Sequence, residues 1–184
     1  MKINDINLFI TNIKVIEFSI TEITPVIEEV LNNKKEIKKR SKIYSKAGGL
    51  GNYLTDFKNP VKIIEYEKLM LMIGNFFANK GYNFTVNRYW TALYNNNSFH
   101  PMHTHCYPLD EKNHVNYSSV LYLTSEGGTD FYSPNPTSTE GVYTVKSEVG
   151  KMIIFPSNLL HGVIYNDNKN ERMIISANLG IFKA

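Results

Sequence analysis

The chain has 184 residues, a net charge of +3, and 42% hydrophobic and 12% aromatic residues. That is enough apolar material for a buried core, and it excludes a disordered or collagen-like chain. The mild charge admits an anionic ligand or nucleic acid and demands neither. A lone cysteine, Cys106, excludes an internal disulfide framework and points to a reducing, cytoplasmic compartment.

The first residues carry charge early and show no secretory apolar stretch. Thr24 reads as a helix N-cap, with Pro25 at the first helical position, Glu28 and Glu29 following, and Val26, Ile27, Val30, Leu31 and Ile37 as apolar positions. Lys34, Lys35, Lys38, Lys39, Arg40 and Lys42 form a basic run that a nucleic acid could use, although a solvated helix face is the simpler reading. Ala47 to Asn52 reads as a loop. A second helix is signalled by Asn59-Pro60, with Tyr66, Met70, Ile73 and Phe77 on one face and Gly81 past its end. Its longest apolar run, Leu69 to Ala78, contains Gly74 and Asn75 and is too short to cross a bilayer, so a soluble protein with no membrane partner is expected.

From Asn83 the period changes to two. Phe84, Val86, Trp90, Ala92 and Tyr94 suggest a half-buried strand, and further strand-like runs fall at 118–124, 129–133, 142–146, 152–155, 161–165 and 172–181. The turn signals Glu126-Gly127-Gly128, Ser133-Pro134-Asn135-Pro136 and Tyr165-Asn166-Asp167-Asn168 separate some of them. The expected fold is mainly β with N-terminal helices, a sandwich or jelly roll buttressed by two helices. It is read as one domain over 1–184, a helical buttress over 1–82 and a jelly-roll core over 83–184.

His103 and His105, at i and i+2 of an extended segment, share a face, and His161 follows another strand-like run. Three neutral imidazoles suit iron, copper, nickel or zinc. His100 is expected to face away, and His114 sits in a polar loop. The commoner iron triad has two histidines and a carboxylate, so Asp110 is a rival to His105, and Cys106 reads as an ordinary small thiol. Arg172, Ile174, Ser176 and Asn178 share one face of the last strand. An arginine there needs an anionic partner; a carboxylate meets that need bidentately, with Ser176 adding a hydrogen bond. The competing reading pairs Arg172 with solvent, Asp130 or Glu148.

The order of histidine pair, Leu121-Tyr122-Leu123, Gly127-Gly128, Gly150-Lys151-Met152-Ile153-Ile154-Phe155-Pro156-Ser157, His161 and Arg172 resembles the iron(II)- and 2-oxoglutarate-dependent oxygenases. It is most similar to a bacterial and phage branch with a His-x-His motif, and more distantly to prolyl hydroxylases. The likeness covers residues 90 to 179 well and the first half loosely. It implies a double-stranded β-helix (cupin-like), Fe(II) held by His103, His105 and His161, and 2-oxoglutarate gripped by Arg172. It further implies co-substrate contacts from Tyr122 and Tyr94, each of which reads equally as a packed strand tyrosine. His105 is a departure, because prolyl hydroxylases have aspartate there. The implied activity is a dioxygenase that consumes O2 and 2-oxoglutarate, hydroxylates an unidentified substrate and releases succinate and carbon dioxide.

Two rivals remain: a three-histidine cupin-like dioxygenase without 2-oxoglutarate, for which Arg172 has no task, and a non-enzymatic metal-dependent jelly-roll binding module. Tyr107, Tyr117, Phe131 and Tyr132 would line a cleft or a binding surface in either, and residues 107 to 116 would form a lid or specificity loop. The substrate, small or macromolecular, is not legible, and a homodimer is left open.

Overall fold

The structure is a computed structural model and describes residues 2–8, 11–46, 50–105, 115–134, 141–163 and 169–184. Cys106, Asp110, His114 and most of the expected 107–116 loop lie outside the described residues, as do the tips of the expected 135–136 and 165–168 turns.

Two sheets face each other. The larger has eight strands: β1 (Lys2–Leu8), β2 (Thr11–Glu17), β10 (Lys151–Pro156), β7 (Tyr117–Tyr122), β12 (Arg172–Lys183), β5 (Tyr82–Tyr94), β4 (Leu50–Thr55) and β3 (Lys42–Lys46), in that spatial order. The smaller runs β6 (His100–His103), β11 (His161–Val163), β8 (Gly128–Tyr132) and β9 (Val142–Lys146). All pairings are antiparallel. This is the jelly-roll, double-stranded β-helix architecture expected.

The central strands of the large sheet are apolar on both faces because both faces are covered. On β10, Met152 and Ile154 join the core beneath the helices while Ile153 and Phe155 join the core between the sheets. Leu121 against Val120 and Tyr122 on β7, and Met173 and Ile175 against Ile174 on β12, divide the same way. Each strand is thus a two-sided wedge, one side fixing the helices and the other shaping the interior.

Three helices cover the outer face rather than two: α1 (Ile20–Asn32), α2 (Lys34–Arg40) and α3 (Ile64–Ala78). α1 begins earlier than Thr24 because Ser19 and Glu22 form a capping box, with the Ser19 N–H donated to the Glu22 carboxylate at 2.8 Å. Pro25 therefore falls inside the helix, where its ring removes a backbone donor. Buried Ile23, Val26 and Val30 hold that face down, which offsets the lost bond. α3 starts at Ile64, because the Glu29 carboxylate of α1 accepts the N–H groups of Ile64 and Glu65 at 2.9 and 2.7 Å. Its expected core face is correct: Tyr66, Met70, Ile73 and Phe77 are all buried.

The first 82 residues are not purely a helical buttress, since they also supply β1 to β4. β1 and β2 form a hairpin whose inner strand zips onto β10, with Val15 opposite Ile153. Leu50 to Asn52, read from sequence as loop, belong to β4. The basic run on α2 is largely engaged within the molecule: Lys34 and Lys38 reach Glu171 at 2.5 and 3.2 Å, and Arg40 reaches Glu36 at 2.7 Å. No helix among the described residues is long and apolar enough to cross a membrane.

Candidate metal centre and its anion anchor

The interior between the sheets opens at the ends of β6 and β11. β11 pairs with β6 so that His161 lies directly opposite His103. β6 ends at His103, and His105 lies just past it, where its backbone N–H is donated to the Ser157 carbonyl at 2.8 Å. The two histidines are therefore not on one regular strand, as their spacing suggested, yet their rings still converge. One ligand-capable atom from each of His103, His105 and His161 lies within 4.8 Å of the others.

The orientation of the three rings is set from behind. His103 Nδ1 faces the Pro101 carbonyl at 2.9 Å, and His161 Nδ1 faces the Leu159 carbonyl at 2.8 Å. Both contacts are to oxygens that only accept, so each Nδ1 carries the proton and each Nε2 presents a lone pair. His105 Nδ1 meets Asn178 Oδ1 at 3.0 Å, which imposes the same tautomer. The Nε2 atoms of His103 and His105 then stand 3.0 Å apart. Two lone pairs so close repel unless a proton or a cation lies between them. Three Nε2 lone pairs aimed at one point by three carbonyl-type oxygens are a donor set for a divalent transition metal.

Burial favours the neutral ring at His105 and at His161. Burial pushes the His161 imidazole down to about 3, with the nearby His103 and His105 adding to the effect and the Leu159 carbonyl opposing it. His105 is also lowered by burial, against the hydrogen bond to Asn178. Trp90 stacks on His105 with centroids 5.9 Å apart, and Phe155 meets His161 edge-on at 4.7 Å.

Deeper in, Arg172 is fully buried, and none of its three guanidinium nitrogens has a hydrogen-bond partner among the described residues. It does not pair with Glu148, and no ion pair to Asp130 forms. Its cation lies over the rings of Tyr94 and Tyr122, at 5.1 and 5.7 Å. Burial disfavours the charge, but a guanidinium cannot shed its proton within the ordinary range. An uncompensated cation costs several kcal/mol, on the order of the penalty for any buried ion. A carboxylate arriving at the fork removes that penalty.

The four residues of the inner face of β12 connect the two features. Arg172 stands at one end, Ile174 and Ser176 follow, and Asn178 at the other end holds His105. Ile174 and Ser176 line the cleft that also contains the histidines. Tyr122, expected to contact a co-substrate, donates its hydroxyl to Thr129 Oγ1 at 2.8 Å, and burial pushes that hydroxyl up to about 12. Burial raises Tyr94 as well. Both tyrosines present ring faces to Arg172, so their clearest structural task is to seat the guanidinium.

Several members of the site were not singled out from sequence. Asn178 was placed on the right face but given no task. Tyr53 was missed because it lies beside a Gly-rich stretch read as a loop; it stacks on Tyr94 at 4.7 Å. His100, expected to face away, instead stacks on His103 at 3.8 Å, because the short β6 is too irregular for strict alternation.

Among solved structures, a Pseudomonas putida prolyl-4-hydroxylase aligns over 97% of this chain and 96% of its own, at 14% identity and a TM-score of 0.66. The viral collagen prolyl hydroxylase of Paramecium bursaria Chlorella virus-1, solved with 2-oxoglutarate, covers 91% and 94% at 18% identity and a TM-score of 0.60. HygX from Streptomyces hygroscopicus, solved with nickel, 2-oxoglutarate and hygromycin B, covers 92% and 83% at 11% identity and a TM-score of 0.61. At such identities the likeness establishes the fold. Residues 124–178 match the family model described as "Putative 2OG-Fe(II) oxygenase". The fold is shared with those structures, and the matched segment is similar to that family. The matched segment contains His161 and Arg172, while His103 and His105 precede it. No curated protein sequence matches the chain.

Proposed function

We propose that His103, His105 and His161 hold Fe(II) and that Arg172 binds the distal carboxylate of 2-oxoglutarate, in a dioxygenase that hydroxylates a separate substrate. The observation that carries this reading is the buried guanidinium of Arg172, without a hydrogen-bond partner among the described residues, at the end of the same strand face that orients His105. A three-histidine dioxygenase that binds its substrate directly leaves that cation without a function.

Bound iron supplies the oxidising chemistry, turning O2 and 2-oxoglutarate into succinate, carbon dioxide and a substrate hydroxyl. The chain's residues bind and orient. Pro101, Leu159 and Asn178 fix the imidazole tautomers, Tyr94 and Tyr122 seat Arg172, and Ser176 lies between the two anchors with its hydroxyl available to a carboxylate. Trp90, Phe155 and Ile174 exclude water from the cleft walls.

The deciding experiment is an anaerobic titration with Fe(II) and 2-oxoglutarate, following the weak visible charge-transfer band of a chelated keto acid. The band should form in the native protein and be lost or much weakened in Arg172→Met. Iron binding without any band would move the assignment to direct substrate chelation. His161→Ala should abolish succinate formation, and undiminished turnover in that variant would remove His161 from the ligand set.

A further inference from the structure

Among the described residues, the first half of β5 is covered on one edge only. β12 pairs with it along its length, whereas β4 meets it only at Ala92 and Leu93. Among the described residues no backbone group pairs with residues 82–90 on that second edge. Alongside runs a groove of about 850 Å³ between β5 and α3, walled by Phe84 and Val86 on one side and Met70 and Leu71 on the other. Leu71 is 69% exposed. An open edge is a template for another strand, and sheets usually guard theirs with proline, lysine or inward charges. The stretch Tyr82-Asn83-Phe84-Thr85-Val86-Asn87 has none of these.

We propose that this edge pairs with the same edge of a second copy of the chain, antiparallel and two-fold about Thr85. The sequence is self-complementary around that point. With Thr85 facing Thr85 of the other copy, Phe84 falls opposite Val86 and Asn83 opposite Asn87, each pair occurring twice. Phe84 stacks on Phe77 of α3, so the Phe–Val pairs lie on the helix side and extend the apolar core into the groove. Asn83, Thr85 and Asn87 are exposed and meet across the opposite face, where amides and hydroxyls hydrogen-bond one another. The register break between Asn178 and Leu179 of β12, opposite Asn87, ends the regular stretch and limits the pairing to this segment. An unrelated extended peptide would satisfy the edge but would not account for the palindromic pattern. The inference is independent of the metal chemistry.

The test is the mass of the full chain by sedimentation equilibrium over a concentration series. The native chain should be dimeric, and Asn83→Lys combined with Asn87→Lys should be monomeric at the same concentrations, because like charges then face each other twice. Asn83→Lys combined with Asn87→Glu should stay dimeric, with dissociation promoted by salt. With Cys106 replaced by serine, Thr85→Cys should crosslink to itself on oxidation, since directly opposed strand positions bring Cβ atoms within disulfide reach. All substituted side chains at the edge are exposed, so circular dichroism should match that of the native protein. A monomeric native chain, or a dimer indifferent to the lysine pair, would overturn the proposal. A monomer with the Lys–Glu pair, or no Thr85→Cys crosslink, would overturn the register.

Discussion

Asn178 shows how one amide can set the tautomer and orientation of an imidazole. Its Oδ1 accepts the His105 Nδ1–H at 3.0 Å and so fixes that ring. Asn178→Ala should lower Fe(II) affinity by about 10- to 100-fold, the usual effect of removing an outer partner of a metal ligand. Competition against a chelator measures it, and Asn178→Asp should restore most of the loss because a carboxylate accepts the same N–H. Arg172 makes the opposite kind of prediction. It is buried without a counter-ion among the described residues, so Arg172→Met should leave the metal-free protein equally or more stable, by up to about 4 kcal/mol on the precedent of buried charges replaced by apolar groups. Urea denaturation checks it; a loss of several kcal/mol would mean that Arg172 is a structural residue and not a ligand anchor. Its place on the β12 face was legible in the alternation Arg172, Ile174, Ser176, Asn178. Its lack of a partner was not, because that depends on strands remote in sequence.

At the level of elements, the pairing of β6 with β11 places two of the three histidines. Gly162 is the tight point: a Cβ there would sit 3.0 Å from the His100 carbonyl and 3.5 Å from the Met102 nitrogen. Gly162→Ala should therefore push β6 away by a few tenths of an ångström and weaken Fe(II) binding by about tenfold, the low end of what disturbing a metal ligand's outer support costs. The overall fold should survive, since neither core cluster draws a residue from β6; unchanged metal affinity would show that β6 does not position His103. The strands near the site were readable because apolar runs bounded by turns recur there. The start of α1 was misread because Pro25 and Ser19 both signal a helix start, and only the reciprocal bond to Glu22 selects Ser19. The β1–β2 hairpin was missed because its inner strand, β2, joins the sheet only through β10, about 135 positions away in the chain.

Across the whole molecule, Asp56 ties the helical layer to the sheet. Its carboxylate is fully buried and accepts the N–H groups of Val61 and Thr91 at 2.8 and 2.7 Å. Burial raises its pKa above the ordinary value of 3.8, against the lowering effect of those bonds. The folded state thus holds the proton more tightly than the unfolded chain, and stability falls as pH rises from the ordinary value through the raised one. Asp56→Asn should cost about 1–3 kcal/mol through one unsatisfied donor, and it should flatten that decline. Denaturation midpoints over a pH series distinguish the two, and an unchanged slope would remove Asp56 as its source.

The sequence by itself determined the chemistry on offer: three imidazoles, one arginine on a strand face, and alternating apolar strands able to enclose them. Those properties are local, set by residue type and by the two-residue period. Only the tertiary structure decided which groups are partnered. Among the described residues it left Arg172 buried without a hydrogen bond, gave His105 an amide 73 positions away, turned His100 onto His103, and left one edge of β5 open. The physical reason is that burial and hydrogen-bond satisfaction depend on what distant strands bring, which no window of sequence contains.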